Sequence, residues 1–87
     1  MLSRPLVVKH AYKHGLSKRD ILHAWEYAYT AKSRVDGRSF ERILVGPDGK
    51  GRDIQLAELW DERRQRMVII HAMPLTSGGK QELGWRR

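Results

Sequence analysis

The sequence predicts an α+β domain: two N-terminal helices followed by a small antiparallel sheet that they cover. Three observations carry that expectation. Apolar residues recur at helical spacing through residues 17–31. Short runs rich in β-branched residues follow, each bounded by glycine, proline or clustered charge. The connections between those runs are short, which favours sequential antiparallel pairing.

Residues 3–14 read as the first helix. Ser3 can cap it, and Pro5 fits the first turn, where its missing N–H is not needed. Leu6, Val7, Ala11 and Tyr12 make an apolar stripe. Lys13 and His14 fall in the last turn, where the macrodipole favours cations, and Gly15 suits the left-handed position beyond it. Val7 and Val8 are weak helix formers and count against this reading. The second helix starts at Ser17, whose run Ser17-Lys18-Arg19-Asp20 is a weaker relative of the capping box. Ile21, Leu22, Trp25, Ala28 and Tyr29 continue it, with Leu16 placed to staple against Ile21 and an end expected near Ala31. Trp25 reads as a core anchor.

Residues 32–38 read as a polar connection closed by the turn signal Asp36-Gly37. A strand is expected over residues 40–45. Residues 46–51 hold three glycines, a proline and Lys50, but lack the phosphate-loop pattern and a following helix, so a hairpin connection is expected. Residues 52–60 form the next strand and residues 61–65 a charged turn. Arg66–Pro74 is the most apolar run and reads as a central strand buried on both faces. Strict alternation places Met67, Ile69, His71 and Met73 on one side, and Val68, Ile70 and Ala72 on the other. Pro74 cannot donate to a ladder, so pairing should stop there. Residues 75–87 are expected to be a loosely ordered tail. No repeat or linker divides the chain, and residues 1–87 read as one domain.

Composition narrows the function classes. Seventeen lysines and arginines against ten aspartates and glutamates give a net charge of +7 and a pI of about 10.3. A small domain this basic has an electrostatic reason to bind phosphates, acidic proteins or anionic surfaces. Cysteine is absent, so there is no disulfide framework and no cysteine-based zinc site. No apolar run approaches the roughly 20 residues of a membrane-spanning helix, and the N-terminus lacks a signal-peptide core. A cytoplasmic location without a membrane partner is expected. His10 and His14 stand four residues apart, but Ala11 occupies the place of the metalloprotease glutamate and no third ligand is evident. No metal and no small-molecule cofactor are expected.

RNA cleavage asks little of so short a chain. The 2′-hydroxyl is the built-in nucleophile, so the protein supplies positioning, charge and proton transfer. His71, with an ordinary pKa near 6.5, suits the proton transfer. Arg52, Arg66 and Lys80 are the candidates to hold the phosphate. Lys13, Arg42, Arg86 and Arg87 are candidates for wider nucleic-acid contact. The plain alternatives are a buried structural histidine at 71, a solvated basic tail, and helix cations that are simply wet faces.

The order of motifs also resembles a known family. Lys13-His14-Gly15-Leu16-Ser17, an amphipathic helix, Arg42-Ile43-Leu44-Val45-Gly46, Gly51-Arg52, and Val68-Ile69-Ile70-His71-Ala72 resemble the BrnT-type toxins of the RelE/ParE-like superfamily. The resemblance spans residues 9–74. It implies a RelE-like fold, metal-independent RNA cleavage on or near the ribosome, and a complex with a DNA-binding antitoxin. The family's last strand reads Ile-Ile-Ser-Ala-Arg. Here His71 stands at the serine position and Met73 at the arginine position, so that arginine does not carry over. The expectation is a ribonuclease toxin of a type II toxin–antitoxin pair, with RNA and an antitoxin as partners. The alternative is a non-catalytic basic module that binds nucleic acid or an acidic protein.

Overall fold

The computed structural model describes residues 4–36 and 39–84. Strands β1 (Leu6–Val7), β2 (Thr30–Asp36), β3 (Ser39–Pro47), β4 (Asp53–Asp61) and β5 (Arg66–Pro74) form one mixed sheet in the order β1-β5-β4-β3-β2. Helix α1 (Lys18–Glu26) precedes β2, and α2 (Ser77–Leu83) follows β5. Strands β2 to β5 run as an antiparallel meander, and β1 joins the far side of β5 in parallel.

This overturns the expected pair of N-terminal helices and, with it, the RelE-like arrangement. In place of a first helix the chain makes β1 and then a short 3-10 turn, Lys9–Tyr12. The bulk and branching of Leu6, Val7 and Val8 fit a pleated surface better than a helix. Leu6 lies opposite Val68 and Val7 opposite Ile69, and the Val8 N–H donates to the Ile69 carbonyl at 3.2 Å. Pro5 biases the residue before it to extended backbone. The expected cap, Ser3, lies outside the described residues. Gly15 does adopt a left-handed φ of +78°, but there it closes the turn after Tyr12, whose carbonyl accepts its N–H at 3.0 Å.

Helix α1 starts as its sequence predicts. Ser17 Oγ accepts the Asp20 N–H at 3.1 Å, and Ile21 and Ala24 are buried against the sheet. It stops at Glu26 rather than near Ala31. Tyr29 already belongs to the sheet, with its N–H on the Val45 carbonyl at 2.7 Å. The close approach of α1 to β3 depends on Gly46, where an added Cβ would sit 2.0 Å from the Ala24 carbonyl oxygen. Residues 32–36 of the expected polar connection instead belong to β2. Ala31, Lys32 and Ser33 are exposed, as an edge strand allows, so no alternation betrays it. Gly37, part of the expected turn, lies outside the described residues, while Asp36 pairs with Ser39 across it.

The core lies between α1, the N-terminal segment and one sheet face. It joins Ala11, Leu16, Ile21 and Ala24 to Leu44, Ile54, Leu56, Ile69 and Ala72. Ile69 and Ala72 share this face although they are three residues apart. The register explains how. Ala57 pairs with His71 but Glu58 pairs with Ile69, so the ladder slips by one residue at Ile70. Such a bulge reverses the side-chain alternation beyond it. The expected alternation is thereby corrected: His71 and Ile69 occupy opposite faces. Strand β5 is an interior strand, paired with β1 and β4, but it is not buried on both faces: Met67, Ile70, His71 and Met73 are only half-buried. Pairing does end at Pro74, opposite Ile54.

Residues 77–83, expected to be part of a loose tail, form α2. Thr76 Oγ1 accepts the Gly79 N–H at 3.0 Å, and Gly84 ends the helix with φ +65°. Gln55 on β4 anchors this cap, its Oε1 accepting from the Thr76 N–H at 3.0 Å and from Thr76 Oγ1 at 3.2 Å. Among the described residues no helix is long and apolar enough to cross a membrane.

Candidate active site: an imidazole cluster

The parallel pairing of β1 with β5 decides what surrounds His71. With Val7 opposite Ile69, the chain enters its 3-10 turn alongside the next residues of β5. That brings His10 to a stacked position on His71, ring centres 6.3 Å apart with 29° between planes. His14 approaches the same ring edge-on, at 5.4 Å and 86°. The bulge at Ile70 supplies the other half of the arrangement. It turns His71 away from the packed core and onto the face where its cross-strand partner is the small Ala57.

A groove of about 430 Å³ opens on that face. Ile43, Ala57 and Ile70 give it apolar walls, Glu41 and Gln55 polar ones, and His10 and His71 stand along it. Its volume lies within the range of small-ligand sites, about 300–1,000 Å³. His71 is half-buried; His10, His14 and Lys13 are exposed. Burial holds the His71 pKa below its ordinary value, and the neighbouring His14, His10 and Lys13 push it the same way, against the opposing pull of Glu41. The ring is therefore biased towards the neutral form that can accept a proton. Among the described residues no three histidine, aspartate or glutamate side chains are arranged to hold a metal ion.

The other candidate residues fall in separate places. Lys13 lies close enough to act on His71. Arg52 is taken up by Asp48, Nε to Oδ2 at 2.5 Å, in the loop between β3 and β4. Burial alone would raise the Asp48 pKa, but hydrogen bonds from the Lys50 N–H and from Arg52 outweigh it and hold the carboxyl at about 2. At strand rise, residue 52 is about 16 Å from the Ala57 level where His71 sits. Arg66 lies about as far from His71 at the other end of β5. It donates from Nη2 to the Arg4 carbonyl at 2.8 Å, and its buried Nε has no hydrogen-bond partner among the described residues. Lys80 is exposed on α2.

Arg42 is on the α1 face of the sheet, opposite the imidazoles. It binds buried Glu58, Nη2 to Oε2 at 3.0 Å, and Trp25 donates from Nε1 to Glu58 Oε1 at 2.8 Å. Trp25 is thus a half-buried anchor with a polar tie. Arg86 and Arg87 lie outside the described residues. Of the six candidates among the described residues, His71 and Lys13 are brought together, and the residues that join them are His10 and His14.

The sequence carried one sign of this. The four-residue spacing of His10 and His14 puts two imidazoles on one side of the segment, and their actual neighbour is a third imidazole, His71. Glu41 and Gln55 had no sequence signal beyond their polarity on strands. No family model matches the chain, and neither a curated protein nor a solved structure matches it.

Proposed function

We propose that the protein is a small RNA-binding domain that cleaves RNA by imidazole acid–base chemistry. The convergence of His10, His14 and His71 beside Lys13 carries this reading. Histidines are matched to proton transfer near neutral pH, and paired imidazoles in unequal environments can act as base and acid. Neutral His71 takes the proton from the 2′-hydroxyl. The 2′-oxygen attacks phosphorus, and the bond to the 5′-oxygen breaks. His10, facing the same groove, serves as the acid that gives a proton to that leaving oxygen. Lys13 offsets charge on the phosphoryl oxygens. The products are a 2′,3′-cyclic phosphate and a free 5′-hydroxyl. Burial, with His14 adding to it, biases His71 towards its neutral form. The net charge of +7 supplies the long-range attraction to the backbone.

The narrower role of a toxin in a toxin–antitoxin pair rests on the order of motifs alone. Its test is growth arrest on induction of the chain, relieved by His71→Ala. The chemistry has its own test. A single-stranded RNA and the same strand with 2′-deoxy sugars are incubated with the protein, and the end groups are read by mass spectrometry. Cleavage of the RNA alone, leaving cyclic phosphate ends, supports the proposal. Cleavage of both strands, or of neither, refutes it.

A further inference from the structure

We infer that Gln55 is a base-reading residue, selecting at the groove a nucleobase that presents a ring carbonyl. The inference rests on the reading of the groove as an RNA site. Its observation is the pinned amide. Gln55 Oε1 accepts from the Thr76 N–H at 3.0 Å and from Thr76 Oγ1 at 3.2 Å. A backbone N–H can only donate, so this contact fixes which end of the amide is oxygen. Gly79 packs against that end, where an added Cβ would lie 2.1 Å from Oε1. The amide therefore cannot turn over. Its Nε2 is held in one orientation, and among the described residues it donates to nothing.

The side chain lines the same groove as His10 and His71. Gln55 lies opposite Met73 on β4, two residues along the same face from Ala57, the partner of His71. That places the amide about 7 Å from the imidazole level, one nucleotide's reach from the phosphate. Between them Ile43, Ala57 and Ile70 form an apolar bed on which a planar base can lie. A rigid donor at the end of such a bed selects an acceptor, because a base that turns an amino group there leaves the amide unpaired. Uracil turns a carbonyl oxygen to the donor on either side of its N3, whereas adenine meets it only through a ring nitrogen, on its pairing edge beside an amino group that opposes the donor, so uracil is the better fit.

The experiment measures binding of uridine 3′-monophosphate and adenosine 3′-monophosphate by NMR titration, with wild type and Gln55→Glu. The glutamate keeps an acceptor for Thr76 and loses the donor; the Thr76 amide resonance reports whether the cap of α2 survives. Wild type is expected to favour the uridine nucleotide about tenfold, and the variant to lose that preference. Equal binding of both nucleotides by wild type overturns the inference. So does an unchanged ratio in a variant whose Thr76 amide is unshifted. If wild type still cuts RNA in those cases, the catalytic reading stands without this one. If neither nucleotide binds and RNA stays whole, both fall.

Discussion

The His14 ring stands edge-on to the His71 ring with centres 5.4 Å apart, although the two residues are 57 apart in sequence. The contact exists because a two-residue parallel strand carries the N-terminal segment along β5. It adds His14 to burial among the causes that lower the His71 pKa.

Replacing His14 therefore changes how His71 titrates. His14→Ala removes one of the groups that lower the His71 pKa while burial remains. The His71 titration midpoint, followed by its ring proton NMR signals, is expected to move up without reaching that of an exposed histidine. A midpoint that does not move, or moves down, contradicts the electrostatic account.

The same shift makes stability depend on pH. The folded His71 holds a proton less tightly than the unfolded chain does. Stability from this group is fully present above the ordinary pKa of about 6.5 and is lost as pH falls through the lower folded value. Urea midpoints measured at about pH 7.5 and about pH 5.5 are expected to fall at the acid end, and less so in His71→Gln. Asp48 acts in a lower window. Its depressed pKa contributes stability above its ordinary value of 3.8, which is lost as pH falls through about 2.

Arg52 is expected to serve the fold and not the chemistry, because its partner is Asp48. Asp48 is almost fully buried and accepts from the Lys50 N–H at 2.7 Å and the Arg52 N–H at 3.0 Å as well. Asp48→Asn is expected to cost about 1–3 kcal/mol in urea unfolding, by leaving this network short of acceptors. Arg52→Ala is expected to lower stability while leaving the RNA cleavage rate of the folded protein unchanged. A large loss of rate without loss of stability would return Arg52 to the site.

Gly46 tests the seating of α1. A methyl group there would collide with the Ala24 carbonyl oxygen, which is backbone and cannot swing aside. Gly46→Ala is expected to destabilise by about 1–3 kcal/mol or more, read from the urea midpoint. A neutral effect would mean that α1 does not pack as described.

What the sequence disclosed follows from which elements repeat a pattern. Ser17, Ile21 and Ala24 sit on the predicted face of α1, and β3 to β5 lie close to their expected positions, because buried periodic segments carry their own signature. β1 was missed because Leu6-Val7 is too short to show a period. β2 was missed because an edge strand with Ala31, Lys32 and Ser33 exposed looks like a connection. The slip at Ile70 leaves no trace in Ile69-Ile70-His71, yet it decides which face His71 occupies. His71 itself was legible as a lone imidazole on an apolar strand. Its companions were not, because their approach depends on a parallel pairing that short-range pattern does not encode.

The most direct test is the cleavage rate of a defined single-stranded RNA by wild type and by His71→Ala, at low ionic strength with a chelator present. Circular dichroism confirms that both are folded. Loss of the proton acceptor is expected to slow cleavage by about a hundredfold or more. Equal rates for the two proteins would contradict the assignment of proton transfer to the imidazole cluster.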